Sequence, residues 1–190
     1  MPRAAPPAPP LERAAAPDAD TLDDLGRWGS DIARFHEIRN ADALTREQLA
    51  ALLVRYFPQL LEQRRTPQII TDIQTSWVAS EIQTAAGLGL IEAFPNHTFE
   101  PSTIVTRGSL AIAFARVMRL LSVPATVTRP IAAPDLDPGN ALFPDVQMVV
   151  GSGVMSLQDS GSFNAGGVVS GKEAAGSAER LLRIFQQLPH

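Results

Sequence analysis

Residues 89–121 read GLIEAFPNHTFEPSTIVTRGSLAIAFARVMRLL, and three local signals follow one another in that order. Gly89 suits the left-handed residue that closes a helix, because it has no Cβ to clash. Phe99 is a single apolar anchor in a polar, proline-containing loop. Thr106 then opens a new helix, on which Leu110, Ala113, Phe114, Val117, Met118 and Leu121 share one stripe, with Arg116 and Arg119 on the outer face.

The same plan recurs on either side. Thr45 opens a helix with Gln48 at its third position, a capping-box pattern, and Leu49, Leu52, Leu53 and Tyr56 form its stripe until Pro58 interrupts or kinks it. Ser170 opens another, with Glu173 completing a capping box and Ala174, Ala178, Leu181, Leu182 and Phe185 as the stripe. The caps lie 61 and 64 residues apart, which is a repeat signal. Seven residues before each cap stand Ile38, Phe99 and Phe163, and ten before the two phenylalanines stand Gly89 and Gly153. A leading helix precedes each glycine. The spacing predicts one from Trp77 to Gly87, burying Val78, Ile82 and Ala85, and one from Ala141 to Ser152, burying Leu142, Val146, Val149 and Val150, with Pro144 tolerable in its first turn. A leading helix over Asp20 to His36 would complete the first and least regular copy.

Each unit is too small to bury its own stripe, so three stripes should meet around an axis. The expected fold is therefore all-α: three helix–loop–helix repeats arranged as a pseudo-threefold bundle, with the capped helices at its centre. Residues 1–20 are a Pro/Ala-rich linker leaning to polyproline II, and the repeats run over 21–66, 67–125 and 126–190.

Composition narrows the function. Net charge is −4, which does not fit the basic face of a nucleic-acid binder. The absence of cysteine excludes disulfides and thiolate chemistry. No apolar run approaches the roughly 18–20 residues of a membrane span. The first twenty residues lack the apolar stretch of a secretory signal, and the expectation is a piece of a longer exported chain. His97 has no second histidine in ligand spacing, no carboxylate pair suggests acid–base work, and no glycine-rich phosphate loop follows a strand. Neither catalytic residues, metal ligands nor cofactors are expected.

From Thr71-Asp72-Ile73 through Trp77, Gly89-Leu90-Ile91, Phe94-Pro95-Asn96-His97-Thr98-Phe99 and Ile104-Val105-Thr106-Arg107, the middle unit resembles an S-layer homology repeat. The first unit keeps Leu44-Thr45-Arg46-Glu47-Gln48. The third keeps Asp135-Leu136, Gly153-Val154, an Asp159 to Phe163 loop and Val169-Ser170-Gly171-Lys172-Glu173, where arginine is missing and a lysine sits one place on. The resemblance covers roughly residues 38 to 187. It implies a non-catalytic module of the cell envelope or cell surface, binding an anionic cell-wall polysaccharide in grooves between repeats. The alternative is a degenerate protein–protein scaffold beside an N-terminal domain or partner protein.

On that resemblance the candidate ligand-binding residues are Arg107, Arg46, Trp77, Asp72, Asn96, Thr98 and Lys172. Arg46 and Arg107 sit just inside helix N-termini, where a cation gains nothing from the helix dipole. A partner is therefore expected, a ligand carboxylate clamped by the planar fork or an acidic neighbour, the remaining alternative being simple exposure to solvent. Trp77 could stack on a sugar or pack in the core, and Asp72 could close a turn or cap the following helix. Asn96, His97 and Thr98 stand where the family has Asp-Gly-Thr, so a positive φ in that loop would have to be borne without glycine.

Overall fold

The structure is a computed structural model that describes residues 33–125 and 131–188. The linker expected over 1–20 and nearly all of the helix expected from Asp20 to His36 lie outside the described residues. Residues 33–40 are helical (α1). There follow α2 (Arg46–Tyr56), a 3-10 turn (Pro58–Glu62), α3 (Ala79–Gly87), α4 (Arg107–Leu120), α5 (Phe143–Gly151) and α6 (Gly171–Gln186). Isolated bridges at Thr45–Ile104 and Thr106–Val168 are the extended pairings among the described residues, so the all-α expectation holds.

The three capped helices begin where expected. Thr45, Thr106 and Ser170 accept the third-position backbone N–H of α2, α4 and α6. The capping box is reciprocal at Thr45, where Gln48 returns the bond. It is only half made at Ser170, because the Glu173 carboxylate turns instead to Arg107. The leading helices start later than the spacing predicts. Ahead of α5 the Asn140 side chain accepts Leu142 N–H at 2.8 Å, a local turn that delays the helix to Phe143. Ahead of α3, Ser76 bonds to the Glu47 carboxylate at 2.6 Å, and the helix begins at Ala79. Pro58 does not merely kink α2. The helix stops at Tyr56, and the 3-10 turn fully buries Phe57 and Leu60, two core residues that the helical stripe does not include.

A compact unit extends from Phe35 to His190. The stripes of α2, α4 and α6 supply its core, with Leu52, Leu53, Phe114, Val117, Ala178 and Leu181 inaccessible to solvent. The anchors Phe99 and Phe163 are 0% exposed and Ile38 is 1% exposed. Each leading helix packs on the capped helix before it in sequence: α3 on α2 and α5 on α4, while α6 packs on both α2 and α4. The core is thus shared among helices that lie far apart in sequence as well as among neighbours.

The residues just before the caps close a ring of hydrogen bonds. Leu44 N–H donates to the Val169 carbonyl (2.7 Å), Val169 N–H to the Val105 carbonyl (3.2 Å), and Val105 N–H to the Leu44 carbonyl (2.8 Å). All three residues are at most 2% exposed. The ring satisfies backbone groups that burial would otherwise leave unpaired, and it places three helix N-termini side by side.

Candidate functional site

The first N–H groups of a helix have no partner inside it. In α2 and α4 they bind carbonyls of the next loop. Arg46 and Glu47 N–H donate to Thr103 and Pro101 (2.9 and 3.0 Å), and Arg107 and Gly108 N–H donate to Gly167 and Ala165 (2.9 and 2.8 Å). Each such junction carries an arginine from the helix and an aromatic anchor from the loop. Each loop is tied by an aspartate. Asp72 accepts from Phe99 and Glu100 N–H (2.8 and 2.7 Å), and Asp135 accepts from Phe163 and Asn164 N–H (2.8 and 2.6 Å). Those two backbone bonds hold the Asp135 carboxyl below the usual carboxylate range.

Each loop holds two left-handed residues, His97 and Glu100 at φ 63° and 54° in one, Gly161 and Asn164 at φ 80° and 55° in the other; the first of each pair sits at the tip. The backbone bonds around them match, with Phe94 N–H to Thr98 O and Gln158 N–H to Ser162 O, both 2.8 Å. The conformation that glycine would favour is therefore kept in the middle unit on a histidine. Asn96 accepts from both the N–H (3.2 Å) and the hydroxyl (2.8 Å) of Thr98, which braces the strained residue between them.

The two arginines make nearly the same contacts. Arg46 Nε donates to Phe99 O and Nη2 to Glu92 O, each at 2.7 Å. Arg107 Nε donates to Phe163 O and Nη2 to Ser156 O, each at 2.7 Å. Their guanidinium carbons lie 4.6 Å from the Phe99 ring centre and 4.9 Å from that of Phe163. Burial is the main influence on both and pushes both pKa values down.

They differ at one nitrogen. Arg107 Nη1 is paired with the Glu173 carboxylate, and Arg107 is only 6% exposed. Arg46 Nη1 has no hydrogen-bond acceptor among the described residues, and Arg46 is half-buried. Glu173 is the third residue of α6, and the residue in that position of α4 is Ser109, which lines the same groove as Arg46. At the corresponding start of α6 stands Gly171, where a Cβ would lie 1.6 Å from the Ile38 carbonyl oxygen. No side chain fits there, so an arginine could not take this position without moving the Ile38 backbone.

Arg46 lies in the wall of an open groove of about 490 Å³. Phe94, Ile104, Ser109 and Arg116 line it as well. Phe94 and Ile104 are 38% and 42% exposed, and the Arg46 guanidinium carbon lies 4.8 Å from the Phe94 ring centre. Arg116 donates to Gly89 O at 2.9 Å and pairs with Glu92. The groove thus combines a cation whose Nη1 meets no acceptor among the described residues, exposed apolar surface and the Ser109 hydroxyl, which is shared with Thr106 at 3.1 Å.

Of the seven residues singled out in the sequence, Arg46 lines this groove. Asp72, Asn96 and Thr98 brace the loop behind it. Trp77, 39% exposed, precedes α3 outside the groove lining, and Lys172 is exposed at the start of α6. Phe94, Ile104, Ser109 and Arg116 are additional lining residues. Phe94 and Ile104 were visible as members of the loop and cap motifs, but nothing local marks them as exposed. Arg116 lies on the outer face of α4, as its spacing indicates, and its length lets it reach back to Gly89.

The family model of the S-layer homology domain matches residues 69–111. That interval holds the Asp72 tie, α3, the bracing loop and the first turn of α4. The chain matches no curated protein. S-layer homology domains are non-catalytic modules that attach proteins to the cell wall through its secondary polymers.

Proposed function

We propose, on the premise that residues 69–111 are an S-layer homology domain, that this chain holds an exported protein at the cell envelope by binding an anionic wall polysaccharide in the Arg46 groove. The Nη1 edge of Arg46, which has no acceptor among the described residues, carries the proposal. A half-buried guanidinium beside apolar surface offers a carboxylate one charge-assisted bond that water does not outcompete easily, and Phe94 and Ile104 offer a face for a sugar ring. The ring of Leu44, Val105 and Val169 supports a pseudo-threefold arrangement of three repeats, with the matched domain in the middle. Among the described residues no helix is long and apolar enough to cross a membrane, so attachment through a polymer accounts for the association without a helical span.

Arg107 is part of the second junction and serves binding less directly than Arg46, since its nitrogens are engaged within the chain. Asp72, Asn96 and Thr98 act by holding the Phe94–Phe99 loop in place. Trp77 and Lys172 lie outside the groove lining and would meet only a polymer that extends beyond it. The scaffold reading draws on the closed second junction and on Gly171.

Co-sedimentation with purified cell-wall fractions at low and high salt separates the two readings. Arg46→Ala should weaken binding about tenfold to hundredfold, the equivalent of about 1.5–3 kcal/mol for a charge-assisted bond, and Phe94→Ala should weaken it less. A native chain that never sediments, or an Arg46→Ala form that sediments equally well, leaves the scaffold.

A further inference from the structure

The two arginine junctions agree in backbone hydrogen bonds, in the loop aromatic beneath the guanidinium and in the carbonyls that Nε and Nη2 reach. They differ in what faces Nη1, and Arg46 also has the Phe94 ring 4.8 Å from its guanidinium carbon. At Arg107 it is the Glu173 carboxylate, from the third residue of α6. At Arg46 that position belongs to Ser109, which is exposed, shares its hydroxyl with Thr106 at 3.1 Å and lines the groove.

We infer that Glu173 occupies, from within the chain, the seat that a ligand carboxylate takes at Arg46, so that the module has one working groove and not two. This rests on the reading of the Arg46 groove given above. A carboxylate contributed by the same chain has no association entropy to overcome and is always present, so an external carboxylate of the same kind cannot compete for Arg107. Glu173 is free to do this because it does not return the capping bond to Ser170, whose hydroxyl still caps Glu173 N–H at 3.2 Å. The cap itself therefore survives loss of the carboxylate. Ser109 is the reciprocal determinant: a side chain short enough to leave Nη1 open. Residues at the third position of α4 and α6 set how many grooves are open, and with that the strength gained from repeated attachment along one polymer.

The test is a titration with sodium glucuronate at constant ionic strength, following the Arg46 and Arg107 Nε–Hε resonances separately by NMR in the native chain, in Glu173→Ser and in Ser109→Glu. In the native chain Arg46 should respond and Arg107 should not. In Glu173→Ser the Arg107 resonance should begin to respond, with an affinity within about threefold of that at Arg46. In Ser109→Glu the Arg46 response should fall at least tenfold. An Arg107 resonance that stays silent in folded Glu173→Ser overturns the inference, whatever Arg46 does. A silent Arg46 in the native chain, with a responsive Arg107 in Glu173→Ser, overturns the proposed function and keeps the inference. Should Glu173→Ser fail to fold, Ser109→Glu decides without any ligand. The introduced carboxylate must titrate below the ordinary glutamate range because it pairs with Arg46, and an ordinary titration overturns the inference.

Discussion

Replacing Arg107 by alanine should cost about 3–4 kcal/mol of folding stability. The side chain is 6% exposed, so little of its energy is lost to solvent screening. It donates to two backbone carbonyls, Phe163 O and Ser156 O, and each would be left without that donor. An uncompensated polar group of this kind costs roughly 1–3 kcal/mol, less where water can enter the space left by the guanidinium. Glu173 would lose its cation as well. Its side chain is 28% exposed, so it can turn to water and should add less than about 1 kcal/mol. The sum falls in the range seen when one member of a buried pair is removed, about 3–5 kcal/mol. Urea unfolding followed by circular dichroism gives the measurement. With a slope near 2 kcal/mol per molar, the midpoint should drop by about 1.5–2 M. Arg107→Lys should recover only part of this, since an ammonium cannot reach both carbonyls as a planar fork does. A midpoint within about 0.25 M of the native value would refute the reasoning, because an arginine that merely decorates the surface seldom matters by more than about 0.5 kcal/mol.

Gly171→Ala should destabilise by roughly 3 kcal/mol, at the upper end of overpacking, because the new Cβ would meet the Ile38 carbonyl at 1.6 Å; a thermal melt with an unchanged or raised midpoint, as glycine-to-alanine in an open helix would give, would contradict that contact. His97→Gly should stabilise by about 0.5–1 kcal/mol, since relief of a left-handed residue (about 1–2 kcal/mol) outweighs the added freedom of the unfolded chain (about 0.5–1 kcal/mol); chemical denaturation reads this, and a loss of stability would mean that the φ of 63° is not strained. Acid should weaken the fold through Asp135 and Glu179, held low by backbone N–H groups and by Arg39 respectively. A depressed folded pKa means that the stabilisation is complete above the unfolded value, about 4, and disappears as pH falls through the folded values. The urea midpoint should thus be level from pH 8 to 6 and decline below about 4, with Asp135→Asn flattening that decline; a midpoint level down to pH 3 would count against both carboxylates.

Much of the architecture could be read residue by residue. Thr45, Thr106 and Ser170 cap helices because a hydroxyl reaches a backbone N–H three residues on, and Gly89 and Gly153 close helices because only the next turn is involved. The buried stripes follow from helical spacing. Such signals act over a few residues, so a sequence carries them intact. The candidate site was legible only as far as Arg46 and its loop motif.

What each arginine touches was settled elsewhere in the chain. Arg107 is paired with a glutamate 66 residues away, Arg46 shares its groove with Ser109, and Gly171 is required by the Ile38 carbonyl. No local rule anticipates these pairings. Glu173 has the spacing of a capping box, and its competing partner comes within reach only when α4 and α6 pack together. A caps-and-stripes pattern specifies helices and the faces they bury, but a charged side chain near a helix end chooses among several partners of similar energy. Only the packed backbone brings one of them within hydrogen-bonding distance and removes the water that would have kept the others equivalent.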